Sequence, residues 1–165
     1  MATTYEKIAS TTITSSTASI TFSSITGTYT DLRLVIVNTS VTGNNIAYIQ
    51  LNSDTGTNYS STYIYGDGSS AQSSREVSQT YNTLASSGSN VSFPQLWTID
   101  LLSYAGSTFK TSLATMANDR NGSGATEYSV YLWRNTAAIT SILIGTIVNN
   151  FGTGTSATLY GILKA

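Results

Sequence analysis

Apolar side chains along this chain recur at every second residue far more often than at helical spacing, and β-branched residues and Tyr are abundant, so extended strands dominate. The period marks strands at Tyr5 to Ser10, Ser19 to Phe22, Asp31 to Asn38, Ile46 to Leu51 and Asn58 to Tyr65. The second half adds Leu96 to Leu102, Phe109 to Met116, Tyr128 to Trp133, Ile139 to Ile147 and Ser156 to Ile162. Turn clusters separate them: Thr26-Gly27, Gly43-Asn44-Asn45, Gly66-Asp67-Gly68, Asn121-Gly122-Ser123-Gly124 and Gly152-Thr153-Gly154, where Gly and Asn supply positive φ. Short strands with turns at this spacing specify an all-β antiparallel sandwich or barrel. Between Asp31 and Asn38 both faces are apolar along much of the strand, which places it inside a sheet.

The stretch from Ser69 to Ser92 is the least hydrophobic, with Arg75, Glu76, Tyr81 and Leu84 among small polar residues. It reads as one long surface excursion with a short helix around Arg75 to Tyr81, and loops of that length tend to be functional. No linker, charge run or fixed-period repeat divides the chain, so residues 1–165 read as a single domain.

Composition then narrows function. The 165 residues include no His, no Cys and one Pro, and 9% are charged. Imidazole, thiolate and tuned carboxylates or lysines are the usual instruments of catalysis near neutral pH. Without His a Ser-His-Asp triad is impossible, and Lys7, Lys110 and Lys164 are isolated. The acids Glu6, Asp31, Asp54, Asp67, Glu76, Asp100, Asp119 and Glu127 share no spacing that sets up a glycosidase pair. A formal charge of -1 gives no electrostatic reason to bind nucleic acid or anionic membrane. The first ten residues carry Glu6 and Lys7 and lack the apolar run of a signal peptide. The apolar stretch from Ile139 to Val148 is too short and too interrupted to span a bilayer. The expectation is a soluble protein made in a cytoplasm.

Asp54, Gly56 and Asn58, followed by Asp67, have the oxygen-rich look of a calcium loop. They lack the alternating acidic ligands and the terminal Glu such a loop needs, and the reading preferred is a hairpin turn in which the Asp and Asn side chains bond back to the backbone. No metal or cofactor is therefore expected. The eleven Tyr and two Trp include the close groups Tyr59, Tyr63, Tyr65 and Tyr128, Tyr131, Trp133. Trp97 and Trp133 read as core, while exposed tyrosines could stack on sugar rings. Asp31 with Arg33, and Asp119 with Arg120, place opposite charges where a covering partner would make them register-setting.

The segments Tyr5 to Ala9, Phe22 to Leu32, Asn52 to Ser60 and Leu159 to Ile162 carry a resemblance. Their Tyr-Glu-Lys-Ile-Ala opening, Phe-x-x-Ile run into Thr-Tyr-Thr-Asp-Leu, Asn-x-Asp-x-x-x-Asn-Tyr-Ser turn and Leu-Tyr-Gly-Ile ending resemble a family of virion structural proteins of tailed bacteriophages. The resemblance implies a jelly-roll-like β-sandwich without catalytic residues, located in the virion on the capsid surface or tail. It further implies a homo-oligomer, taken as a trimer, that contacts the major capsid protein or other virion proteins. The leading expectation is a capsid decoration or cement protein that stabilises the head. The alternative is a tail-fibre or tail-tip protein that binds a host glycan. Tyr5, Lys7, Arg75 and Tyr81 are the expected contact residues, and so neutral a chain should attach with little dependence on salt.

Overall fold

A computed structural model describes residues 4–39, 46–84 and 93–163. Twelve strands follow one another without a helix among the described residues. They are β1 (Tyr5–Thr12), β2 (Ser19–Phe22), β3 (Asp31–Asn38), β4 (Ile46–Leu51), β5 (Tyr59–Gly66) and β6 (Ala71–Gln79). The chain continues through β7 (Asn82–Leu84), β8 (Gln95–Leu101), β9 (Lys110–Asp119), β10 (Gly124–Trp133), β11 (Ile142–Val148) and β12 (Ser156–Ile162). An eight-stranded sheet has the order β1-β12-β3-β8-β9-β10-β5-β6, and a four-stranded sheet the order β2-β11-β4-β7. Every neighbouring pair is antiparallel.

The two sheets are joined by a ribbon made from the two ends of the chain. β1 lies on β12 in the large sheet, and the same two segments continue past it as partners: Gly154 N donates to Ile13 O and Phe151 N to Thr17 O, both at 2.8 Å. The ribbon then becomes the β2–β11 pair of the small sheet. Next inward, β3 adds to β12 and β4 adds to β11. First-with-last pairing, folded from one sheet to the other, is the winding of a jelly roll.

Alternation explains the core. β3 and β4 bury every second residue, and the inward side chains Leu32, Leu34 and Ile36 of the large sheet join Ile49, Leu51, Ile142 and Ile144 of the small one in a single apolar cluster. Two sheets enclosing one core make this a sandwich and not a barrel. β3 is an interior strand between β12 and β8, as its two apolar faces require.

The segment after Ser69 departs from expectation. As far as Leu84 it is not an excursion, and no helix forms from Arg75 to Tyr81. A turn in which Asp67 Oδ1 accepts the N–H groups of Ser69 and Ser70, at 2.9 and 2.8 Å, reverses the chain into β6, which pairs along β5; β7 then joins the small sheet. A polar segment has no apolar face to bury as a helix, whereas the free edge of β5 supplies backbone partners at once. These two strands take the number beyond the ten read from the sequence. The rest of the expected excursion, 85–92, and the expected turn at Gly43-Asn44-Asn45 lie outside the described residues.

Candidate functional site

Local geometry first separates scaffold from surface. In the Asn52 to Ser60 motif, Asn52 donates to Ala138 O at 2.7 Å and accepts from the N–H groups of Thr140 and Ser141 at 2.8 and 3.0 Å. Asp54 accepts from Gly56 N, Asn58 Nδ2 and the indole Nε1 of Trp133, at 2.8, 2.9 and 2.7 Å. These donors hold its carboxyl below the usual range despite the opposing effect of burial. Asp54 thus bonds back to the backbone as the turn reading expected, whereas Asn58 bonds to the Asp54 side chain instead. Tyr59, fully buried and stacked 6.4 Å from Trp133, both donates to Leu51 O and accepts from Leu51 N. Burial pushes its phenol up to about 12. The motif is a structural knot that ties the end of β4 to the approach to β11.

Buried Lys110 is structural in the same sense. Its ammonium donates to the carbonyls of Gly106, Thr108 and Thr136, pinning the loop before β9, while desolvation lowers its pKa. Trp97 and Trp133 are both core, as their context implied.

The outer face of the eight-stranded sheet is a broad surface outside these structural clusters. Strand register aligns two rows across it. One runs Ile64, Tyr128, Thr115, Thr98, Val35, Thr158. The other runs Thr62, Val130, Leu113, Asp100, Arg33, Tyr160. Ile64 is 60% exposed, Tyr128 48% and Val130 41%, and Leu96 adds a further exposed apolar side chain on the same side. The charges in these rows cancel internally. Arg33 makes a bidentate pair with Asp100, Nε to Oδ1 at 2.5 Å and Nη2 to Oδ2 at 2.7 Å, which holds the guanidinium still more firmly protonated. Its guanidinium carbon also lies 5.7 Å from the centre of the Tyr5 ring, which meets Tyr160 edge-on.

The residues expected to form a contact do not converge. Tyr5 and Lys7 lie on β1 and Arg75 on β6, the opposite edges of the large sheet, about 34 Å apart at the usual strand spacing. Tyr81 packs on Tyr48 of the small sheet, ring centres 4.6 Å apart. Asp31 does not pair with Arg33; it accepts the N–H of Ser103, and Asp119 accepts the N–H of Asn121 within its turn. The middle of the outer face was missed, although the signal was available: β10 alternates buried Glu127, Ser129 and Tyr131 with exposed Tyr128 and Val130, giving an apolar side chain on the solvent side.

No family model and no curated protein matches the chain. Among solved structures, the Caenorhabditis elegans galectin LEC-6 is similar over 92% of this chain and 95% of its own, with 12% sequence identity and a TM-score of 0.36, too distant to carry a ligand or an activity across.

Proposed function

We propose that this chain is a non-enzymatic virion structural protein, a decoration or cement protein that lies on the outside of a tailed-phage capsid and stabilises the head. Copies of the chain, grouped as trimers, dock on the major capsid protein through the outer face of the eight-stranded sheet. The observation that carries this reading is the face itself: broad, apolar and hydroxyl-rich, with Arg33 and Asp100 neutralising one another. At ordinary strand spacing and rise, eight strands of about eight residues present about 900 Å², close to one partner's share of a standard interface. Such a surface adheres through apolar burial and water-bridged hydroxyl contacts, and a long-range field plays little part. The resemblance of the four sequence motifs supplies the virion context.

A reconstruction of intact particles tests the reading. Density for this sandwich is expected on the capsid shell, with the β3, β8, β9 and β10 face turned toward the lattice. Density confined to the tail would replace cement with the receptor-binding alternative, and density nowhere on the particle would remove both.

A further inference from the structure

The inner side of the eight-stranded sheet changes character from one edge to the other. Over β3 and β8 it is apolar, with Ile36 opposite Trp97 and Leu34 opposite Ile99. Over β10, β5 and β6 the same rows become Glu127, Tyr65, Gln72 and Ser129, Tyr63, Ser74. Here a cavity of about 240 Å³ is lined by Tyr65, Asp67, Met116, Arg120, Gly124 and Glu127, among others. That is room for about eight waters, below the range of drug-sized pockets and near that of one ring with its substituents.

Glu127 is the unexpected member. It is only 7% exposed, and Ser129 Oγ donates to its Oε1 at 2.6 Å. A carboxylate offers about four acceptor sites, so one hydroxyl leaves it with capacity to accept more. The remaining lining narrows the ligand. Two carboxylates, Glu127 and Asp67, oppose an anion. Arg120 opposes a cation, and among the described residues no group of three metal-binding side chains occurs. A wholly apolar guest would cover the buried Glu127 carboxylate while Ser129 alone donates to it. A neutral molecule with several hydroxyls suits this lining: Glu127 can accept from a hydroxyl, a guanidinium can donate to one, and Tyr65 and Met116 offer an apolar wall to the C–H face of a ring.

We propose that this cavity, formed by β5, β9, β10 and the turns at Asp67 and Arg120, binds a single neutral hexose-class sugar unit. The site lies on the inner side of the sheet, away from the outer docking face, and does not rest on the capsid reading. Saturation-transfer NMR of the full chain with free glucose, galactose, mannose and N-acetylglucosamine tests it. At least one sugar should receive saturation. Glu127→Gln should weaken that sugar by about tenfold, the usual scale for one charged hydrogen bond. Ala125→Leu, which intrudes on the cavity from β10, should abolish the signal. Silence from every sugar with the wild-type chain overturns the proposal, and so does a signal that survives both substitutions. Attachment to particles is unaffected by either outcome, so the two readings fail separately.

Discussion

A Cβ placed on Gly161 would stand 2.3 Å from the ring of Tyr29, so the Leu-Tyr-Gly-Ile ending and the Thr-Tyr-Thr-Asp-Leu segment fit together only while residue 161 has no side chain. The same lock recurs between Gly145 and Tyr48, also at 2.3 Å. Gly161→Ala should therefore cost about 1–3 kcal/mol, the ordinary scale of overpacking, read as a lowered melting temperature. In a double-mutant cycle Tyr29→Ala should cost less in the Gly161→Ala background than in the wild type; simple additivity would mean that the ring moves aside freely. Glu127 makes a different demand. Burial raises its carboxyl, and nearby Glu76 pushes the same way against the hydrogen bond from Ser129. A raised carboxyl contributes its stability below the unfolded-state pKa and loses it as pH rises through the folded value. Glu127→Gln should accordingly melt higher than the wild type at neutral pH, with the gap closing on acidification. A gap that widens in acid would show that neighbouring groups hold the carboxylate in its charged form. A higher melting point for Glu127→Gln at neutral pH would mean that the wild type keeps a buried charge at a cost in stability.

Among the elements, β6 is the exception that shows why the others were readable. Strands such as β3, β4, β8 and β12 have one face on the core, so their alternation is written into the chain, and the sequence reading placed all of them within a residue. β6 is a sheet edge exposed along nearly all its length on both faces, so its Ala-Gln-Ser-Ser-Arg-Glu-Val-Ser-Gln run has no period to detect. β7 escapes for another reason, since three residues, however well Asn82 and Leu84 are buried, are too few to declare one. The candidate sites divide in the same way. The outer face was partly legible because β3 is apolar on both sides. The cavity was not, because Tyr65, Asp67, Met116, Arg120 and Glu127 come from separate segments and each alone looks like ordinary core or solvated charge. The expected contact residues Tyr5, Lys7, Arg75 and Tyr81 fall on different edges and sheets for the same cause, because sequence shows the residue type and only the strand order shows who shares a face. Held by β5 alone, β6 should also be the least protected strand of the large sheet. Native-state hydrogen exchange is expected to give β3, β8 and β9 protection near that of global unfolding and β6 far less. Equal protection in all four would mean that the edge is covered in solution.

For the whole molecule, the decisive quantity is how little charge it presents while offering a broad eight-stranded face. Seven basic and eight acidic residues leave almost no net field, and the one ion pair of the aligned rows is closed on itself. In the proposed docking, long-range attraction would contribute little and raising salt would screen little that matters. Particles decorated with this chain should keep it when salt is raised from low to moderate concentration. Val130→Asp tests the complementary half of the same claim. Val130 is exposed on an interior strand of the outer face, so in the free protein the change should cost about 1 kcal/mol, the span of strand propensity, and leave the fold intact. Under a docked partner the new carboxylate would lose its water without gaining a counter-charge, and binding should fall by more than tenfold. Co-sedimentation with stripped particles measures both. Retention through the salt series together with loss on Val130→Asp is the pattern of apolar adhesion through this face. Release by moderate salt, with Val130→Asp still bound, would move the contact to the charged edges at Lys7 and Arg75.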